Sequence, residues 1–130
     1  MDFSGKPQIK KYQKMSIVNI VKNIKPIHPE YVVLIKIGKF YYSYGKDAYI
    51  ISYIFNYKLK TIEENIKVCA FSVSITNKIL AKLEENKINY LLIDRRNSYD
   101  VDSKFNNKNL NRYNVIFEKA TKYINVKKEE

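Results

Sequence analysis

Apolar residues recur at spacings of three, four and seven within residues 8–24, where Ile17, Ile20, Val21 and Ile24 fall on one face, and this period predicts a helix. Pro26 and Pro29 end it. The β-branched run 31–37, closed by Gly38, predicts a largely buried strand, and residues 39–44 predict a second extended piece pairing with it. Gly45 breaks that piece. Asp47 then opens a stretch in which Ala48, Ile51, Ile54 and Phe55 return at helical spacing, with the acid in the first turn where the helix dipole favours it, so a helix is expected at about 46–55.

Residues 66–73 alternate poorly, the pattern of a strand buried on both faces, and Ser74 is placed to cap the segment that follows. Ile75, Ile79, Leu80 and Leu83 share one face of a helix over 75–86, and residues 90–93 read as the next strand. Strand, helix, strand is a βαβ unit and predicts an α/β fold. From residue 95 to 112 the chain turns polar, with four asparagines in 106–111, which predicts a long polar loop. Helix resumes from Tyr113 with Val115, Ile116, Lys119, Ala120 and Tyr123 on its face, and residues 126–130 are expected to fray.

At 130 residues one domain over 1–130 accounts for the length. With 45% hydrophobic and 28% charged residues, the chain has the material for a core and no apolar run able to span a bilayer. The single cysteine, Cys69, cannot close an internal disulfide, and the first residues hold no apolar leader, so a reducing, cytoplasmic setting is expected. The formal charge of +11 favours polyanionic partners and is uneven. Residues 1–62 carry 11 Lys against 3 acids, and seven of the twelve tyrosines lie in 31–57, so lysines and aromatics interleave there.

Catalysis has little to work with. The glycines Gly5, Gly38 and Gly45 form no phosphate-binding loop, and Gly45-Lys46-Asp47 lacks the hydroxyl residue that would ligate magnesium. His28 and Cys69 are too few for zinc. His28 between two prolines reads as a loop residue without a role, and Cys69 in an apolar run as a small buried hydrophobe. Asp102-Ser103-Lys104, with Asp94 and Asp100 nearby, matches only a fragment of some nuclease sites and falls in the expected loop. No enzyme activity, metal or other cofactor is expected.

One segment stands out, running Ile37-Gly38-Lys39-Phe40-Tyr41-Tyr42-Ser43-Tyr44-Gly45-Lys46-Asp47-Ala48. It resembles the N-terminal mismatch-recognition domain of the MutS family of DNA mismatch-repair proteins, whose pattern is Gly-Asp-Phe-Tyr-Glu followed shortly by Asp-Ala and a helix. Gly38, Phe40, Tyr41, Asp47 and Ala48 match in order and spacing. The family continues with a strand bearing Met-Cys-Gly-Val-Pro, a leucine-rich helix and a strand. Val68-Cys69-Ala70-Phe71-Ser72, then Leu80 and Leu83, then residues 90–94 hold those places, and Pro29-Glu30-Tyr31 resembles the lead-in. The likeness covers about residues 8–94.

The resemblance implies a mixed sheet of about five or six strands flanked by helices, as a stand-alone domain that binds nucleic acid without catalysis. In the family the phenylalanine stacks into the duplex at a mispair and the glutamate hydrogen-bonds the displaced base. Phe40 would be the wedge. Tyr42 stands where the family has glutamate and Lys39 where it has aspartate, which makes the segment three formal charges more positive, strengthening phosphate attraction and weakening base readout. The expected contacts are Phe40 and Tyr42 on bases, with Lys36, Lys39 and Lys46 on phosphates. Distorted or single-stranded DNA, or RNA, is the expected partner, bound alone or beside a larger DNA-processing protein and away from membranes. The competing expectations are that Phe40 and Tyr42 pack a sheet edge, or that the fold serves as a protein-interaction module that has lost mismatch recognition.

Overall fold

The computed structural model describes residues 17–97, 101–106 and 111–129. Six strands form one sheet: β1 (Val32–Ile37), β2 (Phe40–Tyr44), β3 (Lys60–Thr61), β4 (Lys67–Ser72), β5 (Tyr90–Asp94) and β6 (Val101–Phe105). Among the described residues four α-helices accompany them: α1 (Ile17–Asn23), α2 (Lys46–Phe55), α3 (Thr76–Glu85) and α4 (Asn111–Glu129). The strand order is β3-β4-β2-β1-β5-β6. Only β1 and β5 pair in parallel, so the sheet is mixed, as the sequence implies.

Alternation along the strands builds two cores. On one face Val32, Leu34, Tyr41, Cys69, Phe71, Tyr90 and Leu92 meet Ala48, Ile50 and Ile51 of α2, Ile79 and Leu83 of α3, and Tyr113 and Ile116 of α4. On the other, Val33, Ile35, Tyr44, Val68, Leu91 and Ile93 are covered in part by Val21 and Ile24, in and just beyond the short α1. Among the described residues, three helices roof the first face and the second is covered only in part. The strand over 66–73, expected to be buried on both sides, therefore has Val68, Cys69 and Phe71 buried but Ala70 exposed.

Local chemistry explains several boundaries. Gly45, at φ +59, turns the chain from β2 into α2, and Asn56 ends α2 in the left-handed region that asparagine tolerates. Helix α3 ends with Lys87 left-handed, its N–H donating to the Glu84 carbonyl while the Ile88 N–H donates to Leu83, so the last carbonyls are satisfied. Ser74 does not cap α3. A 3-10 turn at Val73–Ile75 precedes that helix, and the Ser72 hydroxyl accepts from the Ser74 N–H at 3.2 Å.

The expected βαβ unit is present, with β4 and β5 separated because the α3 crossover spans the β2–β1 hairpin. One further expectation needs correction. The region 95–112 is not one long loop: it holds a 3-10 turn at Arg95–Asn97 and the edge strand β6, antiparallel to β5. Its polar composition is that of an exposed edge, where charges discourage further pairing. Helix α4 runs on to Glu129. Residues 8–16 of the first predicted helix, Asp100 and most of the asparagine run lie outside the described residues.

Candidate nucleic-acid interface

Strands β1 and β2 meet through the two-residue turn Gly38-Lys39, with Ile37 paired to Phe40. Gly38 takes φ +65, the positive value that the first position of a type II′ hairpin turn requires. The Lys39 carbonyl accepts from the Val73 N–H at 2.9 Å, so the turn is tied to the end of β4. Phe40 is thereby held at the head of β2, 46% exposed as a residue.

Period-two alternation puts Phe40, Tyr42 and Tyr44 on the same side of β2. Their rings form a ladder: Phe40 and Tyr42 lie 6.4 Å apart and tilted, Tyr42 and Tyr44 lie 6.3 Å apart and nearly parallel. Exposure falls along it from Phe40 through half-buried Tyr42 to buried Tyr44. The exposed ring is thus braced from beneath. Strand β2 lies between β1 and β4, which removes the expectation that these rings pack a sheet edge.

Beside the ladder is an open groove of about 540 Å³ lined by Phe40, Tyr42, Tyr57, Lys58, Lys60, Val68 and Ala70. No carboxylate is among these residues. The register sets Tyr42 opposite Ala70, whose methyl leaves the floor open. Tyr57, Lys58 and Lys60 were not singled out from the sequence. The one signal for the two lysines is their alternation with Leu59 ahead of Thr61, which puts both on the same side of an extended segment.

The other sequence-selected lysines lie elsewhere. Lys39 is exposed in the turn next to Phe40. Lys36 shares the side of β1 that carries Val32 and Leu34, opposite to Phe40, and pairs in register with Tyr41 and Asp94. Lys46 starts α2 at the far end of β2, which is about 13 Å of strand from its head, and its ammonium sits 5.1 Å from the Phe117 ring centroid. The fold therefore brings together Phe40, Tyr42 and Lys39, and adds Tyr57, Lys58 and Lys60.

Asp47 serves the scaffold. Its carboxylate, 2% exposed, accepts from Lys25 Nζ at 2.8 Å, the Val33 N–H at 3.1 Å and Tyr113 Oη at 2.6 Å. Lys25 also donates to the Tyr31 carbonyl and lies 4.5 Å from the centroid of the Tyr113 ring. Burial pushes the Asp47 carboxyl up and the Lys25 ammonium down, and their mutual attraction opposes both shifts. One side chain so joins the segment after α1, strand β1 and helix α4 to the start of α2.

Cys69 is buried, and burial pushes its thiol up to about 12. His28 packs edge-on against Tyr31, and burial followed by the charges of Lys25 and Lys104 lowers its pKa. For Asp94, burial acts to raise the pKa, but hydrogen bonds from the Arg96 N–H and guanidinium together outweigh it and hold the carboxyl below its usual range. Among the described residues no three His, Cys, Asp or Glu are grouped to hold a metal ion, and no helix is long and apolar enough to cross a membrane.

The family model described as MutS domain I matches residues 15–122, which contain the hairpin, the groove and the Asp47 hub. No curated protein sequence matches the chain.

Proposed function

The chain belongs to the MutS domain I family, and on that premise we propose that it binds distorted or single-stranded DNA without catalysis, using Phe40 as a stacking wedge. The observation that carries this reading is the position of Phe40. It is the half-exposed end of a braced aromatic ladder, beside a groove rimmed by lysines and with no carboxylate among its described lining residues. In this reading Tyr42 adds stacking area, and Lys39, Lys58 and Lys60 contact phosphates. Lys36 and Lys46, set apart from the groove, contribute only to the general field.

Magnitudes narrow the substrate. Stacking one ring on a base contributes about 1–3 kcal/mol, while opening a step of intact duplex costs about a few kcal/mol. The wedge alone therefore gains little on matched duplex. It gains its full stacking energy where bases are already unstacked. Tyr42, in the family's glutamate position, offers no carboxylate to a displaced base, so discrimination rests on deformability rather than on base edges.

The test is fluorescence anisotropy with matched duplex, mismatched duplex and single-stranded DNA, each titrated with salt. Three phosphate contacts give a log–log slope of about −2.7 on duplex and about −2 on single strands. Mismatched or single-stranded DNA should bind more tightly than matched duplex, and Phe40→Ala should remove that preference. Absence of binding to all three at low salt overturns the proposal and points instead to a protein partner, whereas binding that Phe40→Ala leaves unchanged overturns the wedge.

A further inference from the structure

We infer that the groove beside Phe40 seats one unstacked nucleotide, its base over Ala70 against Tyr42 and its phosphate on Lys58 and Lys60. This inference rests on the DNA-binding reading above and adds an occupant to the same surface. The groove exists because the β3–β4 ladder is short. Lys60 pairs with Val68 and Thr61 with Lys67, and there the pairing begins. Extending that register would set Lys58 against Ala70, but residues 57–59 lie outside the strand, so Tyr57 and Lys58 form a wall instead of covering the floor.

The lining fits a nucleotide. About 540 Å³ falls within the roughly 300–1,000 Å³ usual for small-ligand sites. The Tyr42 ring and the side chains of Val68 and Ala70 suit the face of a base, and two lysines at the rim suit a phosphate, while Tyr57, whose ring stacks on Phe55 5.7 Å away, bounds the groove. Phe40 lines the same groove, so a wedge that opens a base step has next to it a place for the base that loses its partner. Tyr42 in place of a carboxylate leaves a stacking surface there and removes a charge that would repel phosphate.

The experiment uses a duplex with a single unpaired 2-aminopurine nucleotide and the same duplex with an abasic residue at that position. The unaltered protein should bind the first about tenfold more tightly, the order of one base stack, and should change the 2-aminopurine fluorescence. Ala70→Leu, at an exposed strand position, should abolish this preference while leaving affinity for the abasic duplex within about twofold. Ala70→Thr serves the same purpose should the leucine variant fail to fold. Retention of the preference in the folded variant overturns the groove assignment, and if Phe40→Ala still weakens binding to both duplexes the wedge survives alone. Failure of the unaltered protein to bind either duplex overturns both.

Discussion

Replacing Asp47 by alanine should be among the most destabilising single changes in this protein. The carboxylate is 2% exposed and accepts three hydrogen bonds, from a side-chain ammonium that is itself only 21% exposed, a strand N–H and a tyrosine hydroxyl. Breaking a buried ion pair by removing one partner costs about 3–5 kcal/mol, because the other charge is left without compensation. The Val33 N–H and Tyr113 Oη would lose their acceptor as well, which keeps the estimate at the upper end. A chain of this length is stable by roughly 6–20 kcal/mol, so the variant should fold but melt well below the parent. Asp47→Asn retains a carbonyl acceptor and should fall between the two. Lys25→Met combined with Asp47→Asn should recover part of the loss, since the buried ammonium is then gone. Urea unfolding followed by circular dichroism measures all four forms. A cost below about 1 kcal/mol for Asp47→Ala would refute the argument that this residue joins the scaffold.

Other outcomes follow from single sites. Phe40→Ala should cost only about 1–2 kcal/mol, against about 3–5 for a core phenylalanine, because the residue is already nearly half exposed; its effect should appear in DNA binding instead. Cys69, buried with its thiol pushed up to about 12, should resist alkylation at pH 8 in the native state and react on unfolding, as a timed thiol assay would show. His28, the single histidine, should titrate below 6.5 in its proton NMR resonance, and Lys104→Gln should raise that midpoint. Since the folded pKa lies below the unfolded one, the unfolded chain binds more protons between them. The His28 contribution to stability is therefore complete above 6.5 and is lost as pH falls through the folded value. Lys58→Gln and Lys60→Gln should each weaken DNA binding and reduce the salt slope by about one, more than Lys36→Gln or Lys46→Gln.

What sequence alone determined is the local order of this fold. Gly45 and Asn56, residues suited to positive φ, bracket a helix whose limits at 46 and 55 follow from its apolar spacing. The aromatic segment at 40–44 carries its own alternation, and its ordered agreement with the MutS pattern is what singles out Phe40 in the sequence. Period and turn chemistry are short-range properties, and neighbouring residues express them without reference to the rest of the chain.

Tertiary structure decided which residues meet. The α3 crossover over the β2–β1 hairpin makes β2 interior, so Phe40 rises from the sheet end instead of packing an edge. Strand β6 forms because β5 offers it a partner, which its polar sequence does not reveal. Asp47 reads locally as an acid in a helix's first turn, yet its binding partners come from positions 25, 33 and 113, distances no spacing rule covers. The same cause sorted the lysines: alternation sends Lys36 to the opposite face, six residues of chain carry Lys46 away, and the short β3 ladder brings Lys58 and Lys60 to the groove beside Phe40. Register and strand order are collective properties of the burial of two faces, and they are settled only when the whole sheet assembles.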